Sequence, residues 1–137
     1  MMCYKSILGW AVCTALLCGC QEDFDSHLQR EAKSFTEKHC PKEIEAGNTL
    51  DSATYDISTR TYTQWFTFSG FLDSSEAQKA SLAHLDKIKV HLLTTLRGDT
   101  KWETCKDKGI NFSYVYRSAS SNKTLFHITL TPEDYRN

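Results

Sequence analysis

The residues best placed for covalent chemistry are cysteines, and the first of these is Cys20. It closes the stretch Leu17-Cys18-Gly19-Cys20, directly after the apolar run Ile7 to Leu17 and directly before Gln21-Glu22-Asp23. A large residue, two small ones and a cysteine is the order a bacterial lipoprotein peptidase requires. The thiol of Cys20 would then carry a diacylglyceryl group, and the new amino terminus a further acyl chain. Each buried methylene of such chains contributes about 0.8 kcal/mol, which together suffices for stable attachment to a bilayer. Cys18 stands where Ala or Ser is usual. Plain secretory cleavage to a soluble exported chain is the alternative, but cuts before Cys18 or Cys13 would follow Leu17 and Val12, both too large for that peptidase.

In the body of the chain only Cys40 and Cys105 remain. Two thiols in an oxidising compartment could pair, closing a 65-residue loop and stabilising the fold by roughly 4 kcal/mol in the loop-entropy picture; two separate buried thiols are the other reading. His84 and His91 share a face of a predicted helix. Seven residues place them about 10.5 Å apart along the axis, too far for a metal-binding pair. His39 beside Cys40 suggests a nucleophilic dyad, but adjacent side chains diverge. Glu43 and Glu45 stand in a polar stretch, where solvated carboxylates are expected, and His27 and His127 have no motif around them. The chain has no phosphate-binding glycine loop, no Cys-x-x-Cys metal spacing and no nucleophile elbow. No catalytic, cofactor-binding or metal-ligating residue is therefore assigned, and a non-enzymatic protein is expected.

The elements that must position these residues begin with a targeting segment. Lys5 and the apolar run Ile7 to Leu17 fit a signal peptide and are too short to span a bilayer. Residues 1–19 read as the lipoprotein signal, 20–23 as lipidated amino terminus and tether, and 24–137 as one domain, since about 118 residues support a single core. Without the signal the chain keeps 15 basic and 17 acidic residues, a net charge of −2 that offers no electrostatic footprint for nucleic acid.

Phe24, Leu28, Ala32 and Phe35 recur at helical spacing, predicting an amphipathic helix that stops at Cys40-Pro41. Thr49 to Tyr55 and Thr61 to Ser69 read as a hairpin around Asp56 to Arg60. A second helix starts at Asp73 or Ser74, carries the stripe Leu82, Leu85, Ile88, Leu92, Leu93 and Leu96, and ends at Gly98. Ile110 to Arg117 and Thr124 to Thr131 alternate as a second hairpin. The two halves echo each other, with Cys40 and Gly47 before one hairpin and Cys105 and Gly109 before the other. The expected fold is α+β: a two-layer sandwich in which a four-stranded antiparallel sheet carries two helices on one face, built as an αββ-αββ duplication. In the second strand Tyr62, Phe66 and Phe68 share the core parity, and Thr61, Thr63, Trp65 and Thr67 the other. These four with Tyr55 form the candidate binding face, a surface of hydroxyls and an aromatic suited to a protein or a glycan.

The segments CPKEIEAGNTLDSATYD, TYTQWFTFSG, KDKGINFSYVYRS and LFHITLTPEDY, within residues 40 to 135, resemble a family of small bacterial exported proteins of unknown function. The motifs are a Pro after the first helix, a Thr-Leu-Asp-Ser strand start, a Thr-Tyr-Thr second strand and a Gly, Tyr-x-Tyr, Thr-Pro-x-Asp ending. Lys42-Glu43-Ile44 departs from the Met or Val common in that linker. The resemblance implies the fold and an exported address, and brings no catalytic residue. The function expected is that of a membrane-tethered protein-interaction or binding module of the bacterial envelope, lipid-anchored in the outer membrane and facing the periplasm or the surface, with an envelope protein as partner. An inhibitor or immunity role is its concrete form by analogy of fold. An envelope enzyme with a hidden site, or a glycan or small-ligand binder, is the alternative.

Overall fold

The computed structural model describes residues 23–136. The signal segment and Cys20 lie outside the described residues, and of the tether only Asp23 is included, as the first residue of the opening helix. That helix, α1 (residues 23–39), buries Leu28 and Ala32 and half-buries Phe24 and Phe35, the stripe its spacing predicts. It ends where Pro41 follows Cys40.

Five strands follow in one sheet: β1 (Lys42–Glu45), β2 (Asn48–Asp56), β3 (Thr61–Phe68), β4 (Asn111–Ser118) and β5 (Thr124–Leu130), hydrogen-bonded in that order. The α+β class agrees with the sequence reading, but the sheet corrects it twice. The stretch Lys42–Glu45, read as a polar linker, is a fully exposed edge strand paired antiparallel to β2, so Glu43 and Glu45 are strand residues. Its four residues are mostly charged, the composition that protects an edge and hides it from a search for apolar alternation. The sheet is also mixed: β3 and β4 run parallel, Thr61 opposite Asn111 through to Phe68 opposite Ser118. A helical crossover joins these two strands, which is the connection that delivers a returning strand in the same direction.

The crossover holds α2 (Ser75–Ala83) and α3 (Leu85–Gly98), then the short α4 (Glu103–Asp107). Ser74 caps α2 by accepting from the Ala77 N–H. The predicted single second helix is divided at His84, whose backbone (φ −125°, ψ 31°) leaves the helical region. His84 and His91, both exposed, therefore lie at a helix junction and on α3, not on one continuous helix.

Alternation along the strands puts the core on one sheet face. Leu50, Ala53, Tyr62, Phe66, Phe112 and Tyr116 are buried there. Phe66 stacks on Tyr116 at 4.9 Å between centroids, and Tyr116 on Phe126 at 4.7 Å. The last helix, α5 (Pro132–Arg136), seals one end, with the Tyr135 hydroxyl donating to the Ile110 carbonyl at 2.7 Å. The other face is uncovered by helices: Thr63, Trp65, Val115, His127 and Thr129 share it.

Tyr55 does not belong to that open face. It is 3% exposed and sits on the core side, directly opposite the inward Tyr62. Cross-strand partners share a face, and a bulge between Leu50 and Ser52 resets the parity of β2 so that Ala53 and Tyr55 turn inward. Its hydroxyl donates to Asp25 on α1 at 2.8 Å.

Candidate functional site

The core face is not fully covered. Between α1 and α3 lies a cleft of about 660 Å³, floored by the sheet. Tyr62, Gln64 and Phe66 of β3 run along the floor, flanked by Leu50 and Ala53 of β2 and Tyr114 of β4. One wall is α1, through Leu28, Glu31, Phe35 and Lys38; the other is α3, through Leu92, Thr95 and Leu96. Trp102 and Cys105 close one end, where Lys101 holds its ammonium 5.9 Å from the Phe35 ring centroid and 5.2 Å from that of Trp102.

The leucine stripe of α3 explains why the cleft exists. Leu96 is the one buried residue of α3, whereas Leu85, Ile88, Leu92 and Leu93 reach the core but stay half-buried. A stripe of this composition ordinarily faces a complete core. Here the helix stands off the sheet.

Burial sets the electrostatics of the floor. It pushes the Tyr62 phenol up to about 12, with the nearby thiols of Cys105 and Cys40 adding to the effect. The Cys105 thiol rises to about 11 by burial and the charge of Glu31, and the Tyr114 phenol rises further still by burial. At neutral pH all three are uncharged, which disfavours a thiolate nucleophile. Charge is confined to the rim, where Glu31 pairs with His27 at 3.0 Å and Asp99 accepts the Lys101 N–H at 3.0 Å.

Gln64 is a floor residue that the sequence motifs do not single out. It has inward parity between Tyr62 and Phe66, yet its amide has no hydrogen-bond partner among the described residues. A polar side chain at a core position is the signal that such a position faces a wet cavity.

The remaining candidates are dispersed. Cys40 and Cys105 are free thiols, not a disulfide: Cys40 is half-buried at the carboxyl end of α1, where its N–H donates to the Thr36 carbonyl, and Cys105 is buried in α4. His39 packs its ring on Phe35, 5.2 Å between centroids, rather than activating Cys40, whose thiol is raised by burial and by the charge of Asp51. Among the described residues no three His, Cys, Asp or Glu gather in a metal-binding group, and no helix is long and apolar enough to cross a membrane. Thr61, Thr63, Trp65 and Thr67 keep the parity their spacing predicts. Trp65 is 37% exposed and donates its Nε1–H to Thr54 Oγ1 at 3.0 Å, and the Thr67 hydroxyl donates to Asp51.

Three solved structures share the fold. The crystal structure of a predicted secreted protein of Pseudomonas aeruginosa superposes with a TM-score of 0.69 at 11% identity, covering 83% of this chain and 94% of that one. A pilotin of the Vibrio vulnificus type 2 secretion system gives a TM-score of 0.64 at 9% identity, covering 85% and 94%. The type II secretion system pilotin of Vibrio cholerae gives 0.59 at 13% identity, covering 87% and 98%. At these identities the likeness is one of fold. No curated protein matches the sequence. Residues 23–126 match the model described as Domain of unknown function (DUF8479), in agreement with the expectation of a family without assigned function, and a match over that much of the chain makes the protein a member of this family.

Proposed function

We propose that the chain is a lipid-anchored, non-enzymatic binding protein of the bacterial envelope, and that its cleft holds an amphipathic segment of a partner protein. The observation that carries this reading is the cleft of about 660 Å³ with the half-exposed leucine stripe of α3 along one wall. Apolar surface left in water forgoes about 25 cal/mol per Å², so a ligand that covers the stripe binds by the same force that folds the domain. The unpartnered Gln64 amide on the floor suits a peptide, whose backbone offers both donors and acceptors, better than a hydrocarbon. The rim carries both signs of charge, Lys38 and Lys101 beside Glu31 and Asp99, which suits the mixed polar side of an amphipathic segment.

Support for the address comes from the fold, shared with a predicted secreted protein and with two pilotins of secretion systems. On this reading the chain serves an envelope assembly by binding and not by catalysis. Acylation at Cys20 would leave only Gln21 and Glu22 before the described start of α1, tethering the domain close to the bilayer.

A photo-reactive amino acid at Thr95, on the cleft wall, tests this against one at Ser113 on the open sheet face. In intact cells the Thr95 position gives a discrete cross-linked protein, Leu92→Glu removes it, and the folded variant persists. Adducts formed equally from Ser113, or unchanged by Leu92→Glu, would overturn the cleft as the binding site. Cys20→Ala moves the protein from the membrane to the soluble fraction if the anchor is as proposed.

A further inference from the structure

The sheet ends in two edge strands, β1 and β5, and only the first is protected. β1 carries Lys42, Glu43 and Glu45 among its exposed residues, and charge of this kind deters a second strand. Where β1 stops, Thr36 and Gln29 of α1 occupy the outer backbone groups of β2 at Ala53 and Tyr55. β5 has neither device. Its sequence, Thr-Leu-Phe-His-Ile-Thr-Leu, contains no Asp, Glu, Lys or Arg, no proline and no glycine.

Hydrogen bonding fixes which backbone groups of β5 face outward. The Asn111 and Ala119 N–H groups donate to Arg60 and Phe68 on the β3 side, whereas the Ser118 N–H donates to Lys123 on the β5 side. Odd-numbered residues of β4 therefore bond to β3 and even-numbered ones to β5, so Phe112, Tyr114 and Tyr116 exchange hydrogen bonds with Leu130, Ile128 and Phe126. The alternate residues, His127 and Thr129, aim their N–H and C=O groups away from the sheet. Among the described residues nothing bonds to these backbone groups, and both side chains are exposed. A row of unpaired donors and acceptors at this spacing is matched by another extended strand.

We propose that this edge pairs with β5 of a second copy of the chain, antiparallel, about a two-fold axis at Ile128. His127 then lies opposite the second copy's Thr129, and Thr129 opposite its His127, so that every outward N–H and C=O of the two residues finds a partner. A two-fold contact requires each position to suit its own mate, which singles out self-complementary strands. β5 is one. On the open face an imidazole meets a hydroxyl; on the core face Ile128 meets Ile128 and Phe126 meets Leu130, which carries the apolar layer across the junction. No charged residue enters the row. Because cross-strand partners share a face, the two sheets join as one, with both clefts on the same side.

The test is sedimentation equilibrium of the full chain in density-matched detergent, with amide exchange measured at the same concentrations. The chain passes from monomer to dimer as concentration rises, and the His127 and Thr129 amides gain protection in step with the dimer, whereas those of Phe126 and Ile128, bonded to β4, are slow throughout. His127→Pro removes an N–H that faces outward, the position at which a strand tolerates proline. By symmetry it removes one bond from each half of the junction, so dimerisation weakens by about tenfold or more. His127→Ala, which keeps the N–H, retains most of the association. If His127→Pro does not fold, Thr129→Lys, which places a charge on the exposed side of the edge, weakens the dimer in its stead. A chain that stays monomeric up to millimolar concentration, a dimer whose His127 and Thr129 amides exchange as freely as in the monomer, or a dimer that neither His127→Pro nor Thr129→Lys weakens, overturns the proposal.

Discussion

The Thr36 hydroxyl on α1 completes the backbone pairing of Ala53 on β2: it accepts the Ala53 N–H at 2.9 Å and lies 2.9 Å from the Ala53 carbonyl oxygen. The edge strand β1 pairs with β2 only as far as Leu50, so beyond that point β2 has no strand on this side. The helix takes the missing strand's place, and Gln29 continues the cover by donating to the Tyr55 carbonyl at 3.2 Å.

Replacing Thr36 with Val keeps the shape and strands both backbone groups in a partly buried place. We expect a loss of about 1–3 kcal/mol in urea denaturation, with faster amide exchange at Ala53. Thr36→Ser, which keeps the hydroxyl, restores most of it. A Val variant as stable as the parent would mean that water replaces the hydroxyl freely.

Gly47 and Gly98 offer opposite outcomes from the same substitution. Gly47 turns the chain between β1 and β2 at φ +83°, where a Cβ would meet the Ser69 carbonyl oxygen at 2.6 Å, the same residue whose N–H donates to the Gly47 carbonyl. Left-handed backbone costs a side chain about 1–2 kcal/mol, and the clash adds to it, so Gly47→Ala is expected to cost about 2–4 kcal/mol. Gly98 closes α3, and a Cβ added there would meet nothing within 4 Å. Gly98→Ala should be neutral or stabilise by up to about 1 kcal/mol. Thermal denaturation of both variants checks the contrast.

Alkali should unfold this domain over a defined interval. Burial raises the phenols of Tyr55, Tyr62 and Tyr116 to about 12, and Asp25 adds to the effect at Tyr55. Unfolded tyrosines ionise near ~10. The folded state thus holds these protons more tightly: its advantage is complete below pH ~10 and is lost as pH rises toward 12. Tyrosinate absorbance and circular dichroism should therefore change together in that interval. Tyrosine ionisation complete near pH 10 with the fold intact would contradict the burial of these rings.

Much of the architecture is legible in the sequence because it follows from periodicity. Alternation marks β4 from Asn111 to Ser118, and the capping serine at 74 and the glycine at 98 bound the second helical segment. What escapes depends on relations between elements. The parallel pairing of β3 with β4 is set by the path of the crossover, which no local pattern records. Tyr55 reads as a residue of the open face, and turns inward instead, because its orientation follows from the bulge after Leu50 and the pairing with Tyr62. The cleft is invisible because Leu85, Ile88 and Leu92 read the same whether α3 closes on the sheet or stands off it. Gln64 alone betrays the difference.

Acid should loosen the connection between β3 and α2 before the rest. Asp73 accepts the Ser120 N–H on one carboxylate oxygen and the Gln78 amide on the other, both at 2.9 Å, tying the turn after β3 to the loop between β4 and β5. Hydrogen bonds from the Ser118 hydroxyl first, then from Ser120 and Gln78, hold its carboxyl at about 2. A depressed carboxyl favours the folded state above its unfolded value near ~3.9, and that contribution is lost as pH falls toward 2. Asp73→Asn keeps the shape but cannot make the charge-assisted bonds. We expect the variant to melt below the parent at pH 6, and the gap between them to close as both are titrated toward pH 2. A gap of the same size at pH 6 and pH 2 would place the loss in packing, and the role of the Asp73 charge would be refuted.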